Sequence, residues 1–101
     1  MDKLIKTQLK KLKPVFQSHK VIKAYIFGSV LSDKFNPESD IDFLVTFQDD
    51  LEPLEKGELW WSLYDTLREL FHREIDLVTE NSLKNPYFIE EVNQTKQLIY
   101  G

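Results

Sequence analysis

Ten residues separate Gly28-Ser29 from Asp40-Ile41-Asp42, and this block follows the apolar run Val21-Ile22-Lys23-Ala24-Tyr25-Ile26-Phe27. An apolar run of seven residues rich in β-branched and aromatic side chains reads as a buried strand. A small-residue turn must follow it, then a second strand at about 40–47 that carries two acids. Side chains two apart on a strand project from the same face, so Asp40 and Asp42 point together while Ile41 and Phe43 point into a core. Two like charges on one strand face oppose each other's ionisation unless a cation neutralises them. That cost gives the pair no structural purpose and directs attention to metal-assisted chemistry.

The rest of the chain supplies helices around these strands. Ile5, Leu9, Leu12 and Phe16 recur at helical spacing, with Lys3, Lys6, Lys10 and Lys13 on other faces, and Pro14 is expected to kink or end that helix. Ser29 to Phe35 reads as a short helix, and Asn36-Pro37-Glu38-Ser39 as loop. Leu59, Leu63, Leu67 and Leu70 define a long helix near 55–72. Glu74 to Thr79 alternates like a strand with one buried face, except at Val78. Asn85-Pro86 resembles an N-cap followed by proline at the first helical position, with Phe88, Ile89 and Val92 as the inward stripe. Gln97 to Tyr100 is expected to add an edge strand. The result is an α/β (α+β) fold, a small mixed sheet flanked by helices, in one domain over 1–101.

Composition narrows the chemistry. The chain has no cysteine, so thiolate metal sites are excluded and any metal sits on carboxylates or imidazoles, which favours Mg²⁺. Its net charge of −4 divides unevenly, because residues 1–23 hold seven lysines against Asp2. The lysine cluster reads as a solvated helix face, and no extended basic channel suits a nucleic-acid polymerase or direct DNA binding. Neither a secretory signal nor a membrane span is visible, so cytoplasmic residence is expected.

A third acid is needed if metal is to bind both attacking and leaving oxygens. Asp76 is the candidate, and Glu74 shares its face, so strand alternation leaves the choice open. Gly28 lets backbone approach a phosphate, and Ser29, opening the turn helix, offers its hydroxyl and amide to a triphosphate oxygen with help from the helix dipole. His19 and His72 fall at helix ends and read as structural, and one of Trp60 and Trp61 must be exposed. Tyr25, Tyr64, Tyr87 and Tyr100 read as core or boundary residues.

Residues 21–79 resemble the minimal nucleotidyltransferase family of the polymerase-beta-type superfamily, whose signature is this G-S-x10-D-x-D block plus a later acid; Asn85-Pro86-Tyr87-Phe88 is also similar. The resemblance implies that Asp40, Asp42 and Asp76 hold divalent metal and are catalytic, and that Gly28 and Ser29 hold the triphosphate of a nucleotide. Short members resemble the antitoxins of two-gene modules, which implies ATP as donor, AMP transfer to a tyrosine, and an all-helical HEPN-type partner as acceptor. One departure counts against transfer: Val30, Ser32 and Asp33 stand where family members place arginine and glycine, leaving Lys34 to compensate. Two other readings follow, a non-catalytic module that neutralises its partner by covering it and, ranked lowest, a subunit modifying a small molecule such as an aminoglycoside. The oligomeric state is open.

Overall fold

A computed structural model describes residues 3–32 and 35–101. Its elements run in the order α1 Lys3–Leu9, α2 Leu12–Ser18, β1 Val21–Phe27, a 3-10 turn Gly28–Leu31, β2 Ile41–Phe47, α3 Pro53–Phe71, β3 Ile75–Thr79, a 3-10 turn Glu80–Ser82, α4 Pro86–Thr95 and β4 Gln97–Tyr100. The four strands form one mixed sheet in the order β3-β2-β1-β4. β1 is antiparallel to both β2 and β4, while β2 and β3 are parallel, with α3 as the connection between them. The architecture is the expected α+β sheet flanked by helices. No helix among the described residues is long and apolar enough to cross a membrane.

The first helical stretch breaks four residues before Pro14. A proline ring clashes with the carbonyl four residues earlier, which here belongs to Lys10, so the regular helix gives way to a turn at Lys10 and Lys11, where the Lys11 N–H bonds to the Gln8 carbonyl three residues back, and restarts at Leu12. Pro14 then lies in the first turn of α2, where its missing N–H is no loss. Lys3, Lys6, Lys10, Lys11 and Lys13 are all exposed, as a solvated face requires. The other helix signals hold closely: Asn85 Oδ1 accepts from the Tyr87 and Phe88 N–H groups at 3.0 and 3.3 Å and Pro86 opens α4.

Ile26, Ile41, Phe43, Val45 and Ile75 point from one face of the sheet to Phe16, Leu63 and Leu67 of the helices, forming the main core. The opposite face is covered as well. Phe27 and Leu44 pack there with Val92 of α4, and Val78 borders them. This second layer explains why Val78 breaks the alternation of β3, and why Phe43, Leu44 and Val45 are all buried in succession.

His19 is structural. Its Nδ1 lies 2.7 Å from the Val15 carbonyl and its Nε2 2.9 Å from Ser62 Oγ, tying α2 to α3. His72 closes α3 in the left-handed conformation at φ 54°, its N–H bonded to the Arg68 carbonyl. Trp60 is half buried and donates to the Leu77 carbonyl at 3.2 Å, whereas Trp61 is 61% exposed. Tyr87 departs from the boundary position expected of it and is 83% exposed, because the first turn of α4 directs Phe88, not Tyr87, towards Phe27.

Candidate active site

The parallel ladder between β2 and β3 sets Asp42 directly beside Asp76, with Ile41 beside Ile75 and Phe43 beside Leu77. Residues paired in a ladder share a face, so both acids emerge on the α4 side of the sheet, at the end of their strands away from Thr46 and Thr79. Glu74 lies one residue before β3 and is bound 2.9 Å from Arg68 on the surface. Of the two acids that alternation left equivalent, Asp76 is the one aligned with Asp42.

On the other side of β2, Asp42 pairs with Phe27, the last residue of β1. Gly28 follows at φ +77°, a conformation open to glycine, and a Cβ placed there would overlap the Asp42 carboxylate. The bend therefore brings bare backbone against the acid. It does not start a regular helix: the turn Gly28–Leu31 spans four residues and ends in extended Ser32, so the helix dipole invoked for Ser29 is absent. Val30 is fully buried and draws the turn into the core. Ser29 Oγ donates over 3.5 Å to the Asp40 carbonyl, joining the bend to the segment that precedes β2. Asp33 and Lys34 lie outside the described residues.

Asp40 is exposed and stands one residue before β2. Its segment is held by a residue that sequence reasoning passed over. Arg73 donates to the carbonyls of Asn36 and Ser39 at 2.8 and 3.0 Å, and its guanidinium lies 4.3 Å from the centre of the Phe35 ring. An arginine in the connection between α3 and β3 carries no motif, so only the fold discloses that it fastens the approach to Asp40.

Burial, followed by the nearby Asp76 and Asp40 carboxylates, pushes the Asp42 carboxyl up to about 6. Among the described residues, no three His, Asp or Glu side chains stand close enough together to hold a metal ion as they are. The donor set nevertheless suits a hard cation: it consists of carboxylate oxygens, and one of them is strained electrostatically in a way that positive charge relieves.

A family model of polymerase beta nucleotidyltransferases matches residues 10–101. The chain belongs to that family. A relative from Methanocaldococcus jannaschii named "Putative protein adenylyltransferase" is 34% identical over 97 residues, covering 95% of this chain and 93% of its own. Among solved structures, a "putative minimal nucleotidyltransferase" superposes with a TM-score of 0.70 at 24% identity, covering 96% of this nucleotidyltransferase and 95% of that chain. A chain from the complex of tri-AMPylated Shewanella oneidensis HEPN toxin with MNT antitoxin superposes with a TM-score of 0.61 at 22% identity, covering 95% and 71%. At these identities the structural likeness is one of fold.

Proposed function

We propose that this nucleotidyltransferase, a single domain over 1–101, transfers AMP from ATP to a hydroxyl of a HEPN-type partner protein and thereby acts as its antitoxin in the cytoplasm. The observation that carries the proposal is the pairing of Asp42 with Asp76 beside the Gly28 bend. The relative named for protein adenylylation and the AMPylated toxin complex support the acceptor class.

In this reading Gly28 and Ser29 receive the triphosphate, and Asp40, Asp42 and Asp76 would hold Mg²⁺. The ion would neutralise phosphate charge and activate the acceptor oxygen. The acceptor oxygen bonds to the α-phosphorus, its proton is released, and the bond to the bridging oxygen breaks so that pyrophosphate leaves. The protein's part is largely positioning, and the backbone at Gly28 allows that close approach without a side chain in the way. Incubation with labelled ATP, Mg²⁺ and the protein encoded by the neighbouring gene should label that protein. Asp42→Asn should abolish labelling in a protein that still folds, and label persisting in the variant defeats the mechanism.

A second reading, neutralisation by binding alone, is favoured by the outer face of α3. Leu54, Gly57 and Trp61 lie at i, i+3 and i+7, Leu54 and Trp61 are 78% and 61% exposed, and nothing lies within 4 Å of a Cβ built on Gly57. Such a surface suits a partner helix. Neutralisation that needs ATP and fails with Asp40→Asn eliminates this reading.

A further inference from the structure

Tyr87 is the second residue of α4, and nothing in the fold employs its hydroxyl. The other three tyrosines are occupied: Tyr25 lies under the Lys96 ammonium at 4.4 Å, Tyr64 stacks on Trp60 at 5.3 Å, and Tyr100 packs on Phe16 at 5.3 Å. The Tyr87 side chain has neither a ring contact nor a hydrogen bond among the described residues, and it is 83% exposed. We propose that Tyr87 is itself an adenylyl acceptor, receiving AMP from the active site of a second copy of this chain when the partner protein is absent. The inference rests on the transferase reading and adds to it an acceptor carried by the enzyme.

Position gives the first reason. Phe88, the next residue, lines a cavity of about 170 Å³ together with Phe27, Gly28 and Asp42. Consecutive Cα atoms lie about 3.8 Å apart, so Tyr87 stands on the rim of that cavity. The Asn85 side chain fixes it there, because Oδ1 accepts from the Tyr87 and Phe88 N–H groups alike. A helix turns by about 100° per residue, which aims Phe88 at Phe27 and leaves Tyr87 facing solvent. Two copies that face each other about a twofold axis bring rim to rim, so Tyr87 of each meets the acids of the other.

Chemistry gives the second reason. Other hydroxyls border the acids, and the fold has already committed them. Ser29 donates to the Asp40 carbonyl, Ser32 to the Ser29 carbonyl and Thr95 to the Glu91 carbonyl. Ser39 is half buried, and its oxygen accepts the Asn36 N–H. Tyr87 alone among these keeps its oxygen exposed and unbonded. In the transfer that oxygen bonds to the α-phosphorus of ATP, its proton passes to solvent, and the bond to the bridging oxygen breaks so that pyrophosphate leaves with the electron pair.

The test is incubation of the purified full chain with labelled ATP and Mg²⁺ without any partner, followed by peptide mass spectrometry. The expected result is label on the peptide that contains Tyr87, and none on Asp42→Asn or Tyr87→Phe incubated separately. Mixing the two variants should restore label on the Asp42→Asn chain, because one supplies the acids and the other the tyrosine. Tyr87→Phe removes a single exposed oxygen, so the fold is retained, and this variant should still label the protein encoded by the neighbouring gene. Self-label that persists in Tyr87→Phe overturns the inference, as does an unlabelled wild type that labels the partner normally, and both leave the transferase reading in place. Label on wild type that the mixture fails to reproduce confines the reaction to one molecule and overturns transfer between copies. Loss of partner labelling in Tyr87→Phe also overturns it, because Tyr87 then serves the transfer and does not receive its product. A wild type that labels neither itself nor the partner removes the transferase reading and this one together.

Discussion

The Asp42 carboxyl, held near 6 by burial and by Asp76 and Asp40, titrates about two units above an ordinary aspartate. Between about pH 4 and 6 the unfolded chain therefore binds fewer protons than the folded one, and stability falls as pH rises through that window. Above it the full penalty applies; below pH 4 it vanishes. For a half-exposed group solvent screening reduces this to about 1 kcal/mol. Urea denaturation should show Asp42→Asn more stable than wild type by about that amount at pH 7.5 and nearly equal at pH 4, with activity lost throughout; equal stability at both pH values refutes the electrostatic account. Gly28 bears an opposite demand, since alanine there meets both the positive φ and the Asp42 carboxylate. Gly28→Ala is expected to cost about 1–2 kcal/mol and to abolish labelling, whereas Ser29→Ala should leave the melting temperature unchanged.

Elements differ in how openly their sequences declare them. β1, β2, α3 and the Asn85-Pro86 start of α4 were legible, because apolar period and capping chemistry are local properties. Replacing the cap with Asn85→Ala should lower stability by about 1 kcal/mol, measurable by thermal unfolding. The short helix expected over Ser29 to Phe35 is instead a single 3-10 turn, Gly28–Leu31, that ends in extended Ser32, with Val30 buried in the main core, a tertiary contact that no local period announces. Among the site residues, the acids and glycine followed from spacing, while the choice of Asp76 over Glu74 required strand register. Arg73 was invisible for a similar reason, as its partners Asn36 and Ser39 are more than thirty residues away. Arg73→Ala should release the approach to Asp40, costing about 1–2 kcal/mol in denaturation and slowing AMP transfer. Both bonds come from the single Nη1, so Arg73→Lys, whose ammonium carries three N–H donors, should recover part of the loss while forfeiting the contact of the guanidinium with the Phe35 ring.

Across the whole molecule the sheet divides two unequal cores, a large one beneath α2 and α3 and a small one of Phe27, Leu44 and Val92 beneath α4. Stability follows apolar contact, so α4 should open more readily than α3. Hydrogen exchange should find its amides the less protected of the two. The ladder from Ile41–Ile75 to Val45–Thr79 fixes the acids in a different manner. Their separation is set by backbone repeat distances and not by any flexible connection, so the surrounding connections can lengthen without disturbing it. Deleting Ile75, the residue of β3 ahead of Asp76, would instead exchange the two faces of that strand, turning Asp76 towards the main core and Leu77 towards Asp42. In this chain a register slip that parts the two acids also displaces the apolar residues between which they stand.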